Sequence, residues 1–260
     1  MPLLEKNQII LHMCKICRTF AADLLSIFFP QTCPMCGRYI GEEVRLVQSD
    51  ARGILCADCL DTLPRTEQAE LRENLTEMTL TGGKVAAKKA MHLERAAAFL
   101  FYDKEYPIRR VIHLMKYADQ PMIGFQLGRQ AAMEMQYADF FDGIEVIMPI
   151  PLHKNRLRSR GYNQSEYIAY GLSSIIGIPV DTTHLKRVKD TPKQALQDAE
   201  GRKTNVAGAF AVNHPEQMYH KHILLVDDLL TTGETMKACL QAMKAFRGAT
   251  FSIFALCKAR

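Results

Sequence analysis

The stretch Val226-Asp227-Asp228-Leu229-Leu230-Thr231-Thr232-Gly233-Glu234-Thr235 gathers two adjacent acids, three hydroxyls and a glycine in one short segment. It continues the apolar run His222-Ile223-Leu224-Leu225, which reads as a buried parallel strand, and it leads into a helical pattern. Ligands of open α/β sheets sit at the carboxyl ends of strands, and Asp227 and Asp228 fall at such an end. Successive strand residues point to opposite faces, so the two acids cannot do identical work. Ionised carboxylates accept strong hydrogen bonds from the vicinal hydroxyls of a sugar. The hydroxyls of Thr231, Thr232 and Thr235, with backbone N–H groups around Gly233 and Glu234, precede a helix whose N-terminus attracts phosphate. One site can thus hold a ribose by its hydroxyls and a 5′-phosphate by the loop. A plainer alternative makes Thr231 and Glu234 a capping box and leaves the acids solvated. That alternative does not account for the whole string.

Two other groups of residues could do chemistry. Lys154, Arg156, Arg158 and Arg160 form a dense basic run, which implies an anionic partner, although a solvated loop is the plainer alternative. If the run is extended, its alternation lets at most two of the arginines face one ligand. Eight cysteines in a chain without a secretory signal are more readily metal ligands or buried thiols than disulfides. Cys33-Pro-Met-Cys36 and Cys56-Ala-Asp-Cys59 are two C-x-x-C pairs, a pattern that fits a closed, structural four-thiolate zinc site. Cys14-Lys-Ile-Cys17 is a competing pair, but it lies in a helical pattern where such cysteines usually pack. The set Cys33, Cys36, Cys56 and Cys59 is therefore preferred. Cys239 and Cys257 fall in core elements and are expected to be inert.

The elements that must position these groups are legible from periodicity. Residues 1–30 carry an amphipathic helix at 9–28, residues 31–65 the cysteine module, and residues 66–93 a polar linker. From residue 94 to 260, strands alternate with helices. Strands are expected at 95–102, 144–150, 179–185, 210–212, 222–228 and 250–257. Helices are expected at 108–117, 123–135, 163–175 and 235–246. This alternation implies an α/β fold with a mostly parallel sheet covered on both sides.

Hydrophobic residues make up 48% of the chain and charged residues 23%, which excludes a largely disordered protein. No apolar run reaches membrane-spanning length, and Lys15 and Arg18 interrupt the N-terminal apolar stretch before any cleavage site. A cytoplasmic location is the expectation. The net charge of +5 decides little by itself. No Walker A loop, dinucleotide fingerprint, nucleophile elbow or zinc-protease helix is present.

The string Leu224 to Thr235 resembles the phosphoribosyl-diphosphate (PRPP) signature of type I phosphoribosyltransferases. Met148-Pro-Ile-Pro-Leu-His-Lys-Asn-Arg-Leu-Arg-Ser-Arg-Gly-Tyr-Asn-Gln-Ser resembles the strand, loop and helix that the ComF family of competence proteins places upstream. Leu114-Met-Lys-Tyr, Thr191-Pro-Lys-Gln and Arg202-Lys-Thr-Asn-Val-Ala-Gly-Ala-Phe are similar to further ComF motifs. The resemblance covers roughly residues 20–260. It implies a type I phosphoribosyltransferase-like sheet flanked by helices, preceded by a small four-cysteine zinc module. It implies that Asp227 and Asp228 bind the ribose hydroxyls, and that Thr231, Thr232, Gly233, Glu234 and Thr235 cradle the 5′-phosphate. Residues 151–161, with Lys154, Arg156, Arg158 and Arg160, would be the pyrophosphate loop. Residues 186–204, with Arg187, Lys189, Lys193, Gln194 and Arg202, would be the hood that closes over PRPP. Lys116 and Tyr117 are weaker candidates for lining the same cleft. The implied companions are PRPP with Mg²⁺, structural Zn²⁺, single-stranded DNA and a competence helicase. Three functions stay open: a PRPP-binding competence protein, an active phosphoribosyltransferase of nucleotide metabolism or salvage, and a non-enzymatic nucleic-acid-binding or PRPP-sensing module.

Overall fold

The computed structural model describes residues 32–40, 55–66, 92–103, 105–190 and 208–260. The expected helix at 9–28, the pair Cys14 and Cys17, and the hood residues Lys193, Gln194 and Arg202 lie outside the described residues. The chain divides into two units, Met1–Asp61 and Thr62–Arg260. The first unit contains the short helix α1 (Ala57–Asp61) and a hairpin closed by the Thr32–Tyr39 bridge.

The second unit is built on four parallel strands, β1 (Leu93–Tyr102), β2 (Val146–Pro149), β5 (His222–Leu230) and β6 (Thr250–Ala259), in the order β1-β6-β5-β2. Their apolar residues alternate between faces. Ile223, Leu225, Phe251 and Ile253 share a core with Met236, Cys239, Leu240 and Met243 of helix α6 (Glu234–Met243). The other face is covered by α5 (Gln164–Ile176), which packs on β2 and β5, and by α3 (Met122–Met135), which packs on α5 and β6. The parallel sheet with helices on both faces is the α/β architecture expected from the sequence. Residues 64–66 run along the free edge of β1, with Phe101 N donating to Pro64 O at 2.7 Å and Thr66 N donating to Phe99 O at 3.0 Å. Arg65 fixes this segment to α3 by a two-point contact with Glu134 at 2.6 and 2.8 Å.

Helices α3 and α5 cross at glycines. A Cβ on Gly171 would lie 2.1 Å from Phe125 O, and one on Gly128 would lie 2.3 Å from Ile168 O. Neither position tolerates a side chain unless the helices separate.

Two segments differ from expectation. Residues 179–185 do not form a strand. Val180 makes a single bridge to Ile147, and then the Asp181 carboxylate accepts from Thr183 N at 3.0 Å and His184 N at 2.9 Å. This local side-chain-to-backbone turn takes the donors that a strand would need. The chain then forms β3 (Leu185–Arg187), which pairs antiparallel with β4 (Phe210–Val212) in a separate two-stranded sheet. The basic run is not extended either. It is helix α4 (Lys154–Arg160), opened by His153, whose side chain accepts from Asn155 N, and closed after Gly161 N bonds Leu157 O. Among the described residues, no helix is long and apolar enough to cross a membrane.

Candidate functional site

The site begins where β2 stops. The last residue pair of β2 with β5 is Pro149–Val226, while β5 stays paired with β6 as far as Leu230–Lys258. Asp227 and Asp228 therefore sit on a part of β5 that has lost its neighbour on one side. The last bond of that ladder is Ile150 N donating to Val226 O at 2.9 Å, and the chain leaves the sheet at Pro151. The two acids are half-buried and take different partners, as the alternation of a strand requires. The Ser165 hydroxyl donates to Asp227 Oδ1 at 3.2 Å, and Asp228 N donates to the same oxygen at 2.9 Å. Lys116 Nζ, from helix α2 (Ile108–Tyr117), lies 3.0 Å from Asp228 Oδ1. Burial first, and then the negative charge of Asp228, push the Asp227 carboxyl up to about 7. Burial works against the Lys116 ammonium, but the charge and hydrogen bond of Asp228 outweigh it and hold the amine above its ordinary value.

After Leu230 the chain turns through exposed Thr231 and Thr232 into α6. Gly233 is the residue before the helix, at φ 75°, and no side chain caps it. Among the described residues the Thr231–Glu234 capping box does not form, so the first N–H groups of α6 are left for another acceptor. Glu234 and Thr235 are half-buried in the first turn.

The helical form of the basic run sorts its four cations into two pairs. Arg156 and Arg160 are half-buried on one side, whereas Lys154 and Arg158 are exposed. Arg160 donates to Gln164 Oε1 at 2.8 Å, and its guanidinium stands 5.2 Å from the centre of the Tyr117 ring. Its charge is felt at Lys116. Arg156 Nε lies 3.8 Å from Asp190, which also accepts from Asn155 Nδ2 at 2.8 Å. Arg187 stacks on Phe210 at 5.3 Å. Burial, and next the charge of Arg156, lower its pKa, while Asp227 acts on it in the opposite sense. The charges of Arg160 and Arg187 thus reach Lys116 and Asp227 respectively, Arg156 faces Asp190 and Arg187, and Lys154 and Arg158 are exposed.

One residue of this arrangement, Ser165, was not singled out from the sequence, and one partnership, that of Lys116, was not foreseen. Ser165 reaches Asp227 because Asn163 starts α5, with its side chain accepting from Ser165 N at 3.2 Å and donating to Ile150 O at 3.0 Å. Lys116 was considered for the cleft but not as the partner of Asp228. An Asn one residue before a helical run signals a cap, but nothing in the sequence says which strand end the cap faces.

The first unit brings together Cys33, Cys36, Cys56 and Cys59, whose sulfur atoms all lie within 4.8 Å of one another. Metal–sulfur bonds of about 2.3 Å in a tetrahedron place sulfurs roughly 3.8 Å apart. The Cys36–Cys56 separation is 3.7 Å. Four thiols at that spacing can hold one metal ion and leave it no open position. Burial raises the Cys33 thiol, but hydrogen bonds to the backbone of Cys56, Cys36 and Met35 outweigh it and bring the thiol down to about 7. One ligand is thus close to its thiolate form before any ion binds. Cys239 and Cys257 are fully buried, and burial raises both thiols.

Residues 163–260 match the phosphoribosyl transferase domain family. The chain is 30% identical over 155 residues to DNA utilization protein YhgH of Shigella flexneri, covering 58% of this chain and 67% of that protein. It is 30% identical over 158 residues to competence protein F of Haemophilus influenzae, covering 59% of this chain and 69% of that protein. Among solved structures, it aligns with glutamine PRPP amidotransferase from B. subtilis at 15% identity and a TM-score of 0.36, over 55% of this chain and 30% of that chain.

Proposed function

Because this chain belongs to the ComF family, whose members include the DNA utilization and competence proteins it matches, we propose that it binds PRPP and serves competence or DNA utilization. One observation carries this reading. Asp227 and Asp228 stand on the part of β5 that extends beyond β2 and is paired with β6 alone, directly before an uncapped loop that enters α6. Carboxylates at that place accept the 2′- and 3′-hydroxyls of a ribose. Thr231, Thr232, Gly233, Glu234 and Thr235 offer hydroxyls and N–H groups to its 5′-phosphate. Arg156 and Arg160, on the inward side of α4, match the oxygens of a pyrophosphate on C1. Arg187 borders the acids from β3 and belongs to the hood segment.

The acid pair bears on Mg²⁺ as well. Its carboxylates are of the type Mg²⁺ accepts, but Asp228 already holds Lys116. Such a set suits an ion carried in on the ligand's own phosphate oxygens rather than one bound by the protein alone. In a transferase reaction, a nitrogen nucleophile would displace pyrophosphate from C1. The carboxylates would stabilise the positive charge that builds on the sugar, and the arginines would hold the departing group. The four-cysteine cluster is read as a structural Zn²⁺ site. The organisation proposed is a metal module at 31–65 and a PRPP domain at 94–260, in a cytoplasmic protein with single-stranded DNA and a helicase as partners.

Calorimetry of the whole chain with PRPP tests the reading, and absence of heat with a folded protein overturns it. Pyrophosphate release with an added acceptor would identify a transferase of nucleotide metabolism. Binding without turnover would identify a sensor or a nucleic-acid-binding module.

A further inference from the structure

Asp190 lies just beyond β3, where the stem of the two-stranded sheet ends. Val188 N donates to Ala209 O at 2.8 Å and Lys189 N to the same oxygen at 3.4 Å, so the residue before Asp190 is still held by β4's side of the stem. The Asp190 carboxylate itself is held by α4. Asn155 Nδ2 donates to its Oδ2 at 2.8 Å, and Arg156 Nε stands 3.8 Å from its Oδ1. His153 Nδ1 is 3.3 Å from Oδ2, but that nitrogen accepts from Asn155 N and in that state brings no proton to the acid. Arg156 is therefore the cation of α4 that faces Asp190.

A second guanidinium feels the same acid. Burial, and next the charge of Arg156, lower the pKa of Arg187, while Asp190 acts on it in the opposite sense. Two like charges partly withdrawn from water require an anion nearby. In the free protein Asp190 supplies one, from a side chain that keeps 38% of its exposure against 24% for Arg156. An ion pair this open to water is weak, so a better anion can take its cation.

Arg156 is also one of the two cations matched above to a pyrophosphate. That group carries more negative charge than a carboxylate, and its oxygens fit the guanidinium fork. It must still take the fork from Asp190, or bind beside a like charge, and either costs affinity. The cost falls on the pyrophosphate half of the ligand, because the ribose half is held by Asp227, Asp228 and the loop into α6. Resting on the PRPP-binding reading, we infer that Asp190 sets the affinity of this site: it engages Arg156 in the free protein and competes there with the pyrophosphate of the ligand.

The test is calorimetry of the full chain with PRPP, inorganic pyrophosphate and ribose 5-phosphate, all at one Mg²⁺ concentration. Asp190→Asn removes the charge and keeps an oxygen for Asn155 Nδ2. It should bind PRPP and pyrophosphate about three- to tenfold more tightly than wild type, the effect of one unit charge at close range near a surface. Ribose 5-phosphate, which lacks the pyrophosphate, should bind both proteins alike, within about twofold. Asp190→Glu, which keeps the charge, should show no gain. The gain of Asp190→Asn should shrink in concentrated salt, because a partly exposed charge is screened. A residue that merely clasped α4 to the stem would change stability without producing a salt-sensitive gain. PRPP and pyrophosphate binding that is unchanged or weaker in folded Asp190→Asn overturns the inference while leaving PRPP binding intact. An equal gain for ribose 5-phosphate overturns it too. No PRPP binding by folded wild type and variant alike sinks the PRPP reading and this inference together.

Discussion

The Ser165 hydroxyl, in the first turn of α5, donates to Asp227 on β5 at 3.2 Å. Asn163 holds the start of that helix by its bonds to Ser165 N and Ile150 O. The acid on one strand is therefore aimed by a helix that begins just after the basic run. Ribose-binding and pyrophosphate-binding parts, as proposed, share one mount.

The acid pair gives the sharpest expectation. Asp227→Asn with Asp228→Asn should weaken PRPP binding tenfold to several thousandfold, since each charge-assisted hydrogen bond is worth about 1.5–3 kcal/mol. Titration calorimetry reads the loss, and circular dichroism checks that the fold is kept. Unchanged affinity would remove the ribose role.

Asp227 also links stability to pH. Its folded-state pKa is raised from 3.8 to about 7, so folding favours the protonated form. The resulting stability is complete below the unfolded value and is lost as pH rises through about 7. In the ligand-free protein, the urea midpoint should fall between about pH 5 and pH 8, and Asp227→Asn should flatten that fall. A steeper decline in the variant would contradict this.

For the basic helix, the two faces should separate in function. Replacing Arg156 or Arg160 with Lys should weaken PRPP binding, because the planar fork is lost while the charge remains. Replacing Lys154 or Arg158 with Ala should leave PRPP binding almost unchanged. Any binding of single-stranded DNA by the exposed pair should weaken with salt, by roughly 0.7 log units per neutralised phosphate for each tenfold increase. Fluorescence titrations of each variant, with and without PRPP, check both statements. Equal losses across all four would assign the helix to DNA.

In the first unit, purified protein should carry about one zinc per chain, and Cys33→Ser or Cys59→Ser should lose it. Cys14→Ser should keep the metal. Elemental analysis decides, and loss of zinc from the Cys14 variant would overturn the ligand set.

Gly171→Ala should destabilise the second unit by about 1–3 kcal/mol, and Gly128→Ala similarly, because the added methyl meets backbone on the facing helix. Chemical denaturation measures this. A neutral effect at both positions would mean that the helices cross more loosely than described.

Much of this was legible in the sequence because it is periodic or local. Ile108, Val111, Ile112 and Met115 announce the buried face of α2, and His222 to Val226 announce a strand buried on both sides. The acids and threonines form one string, and the cysteines form two C-x-x-C pairs that meet in space. What stayed hidden depends on tertiary placement or on competing local bonds. Asp181 diverts its own backbone into a turn and removes an expected strand. His153 and Gly161 turn an alternating basic run into a helix, which changes which cations share a side. The pairing of Lys116 with Asp228 joins residues with no sequence pattern in common.

The strand order also bears on how the protein is made. Leu93 in β1 pairs with Phe251 in β6, and β2 pairs with β5. During synthesis β1 emerges long before its neighbour in the sheet, and β6 is the strand that lets β1 and β5 be joined. Until it leaves the ribosome, the earlier strands present open edges and uncovered apolar faces, the condition in which nascent chains aggregate. Stalling or premature termination upstream of residue 250 should therefore yield a species that chaperones hold or proteases clear, rather than a partly working protein.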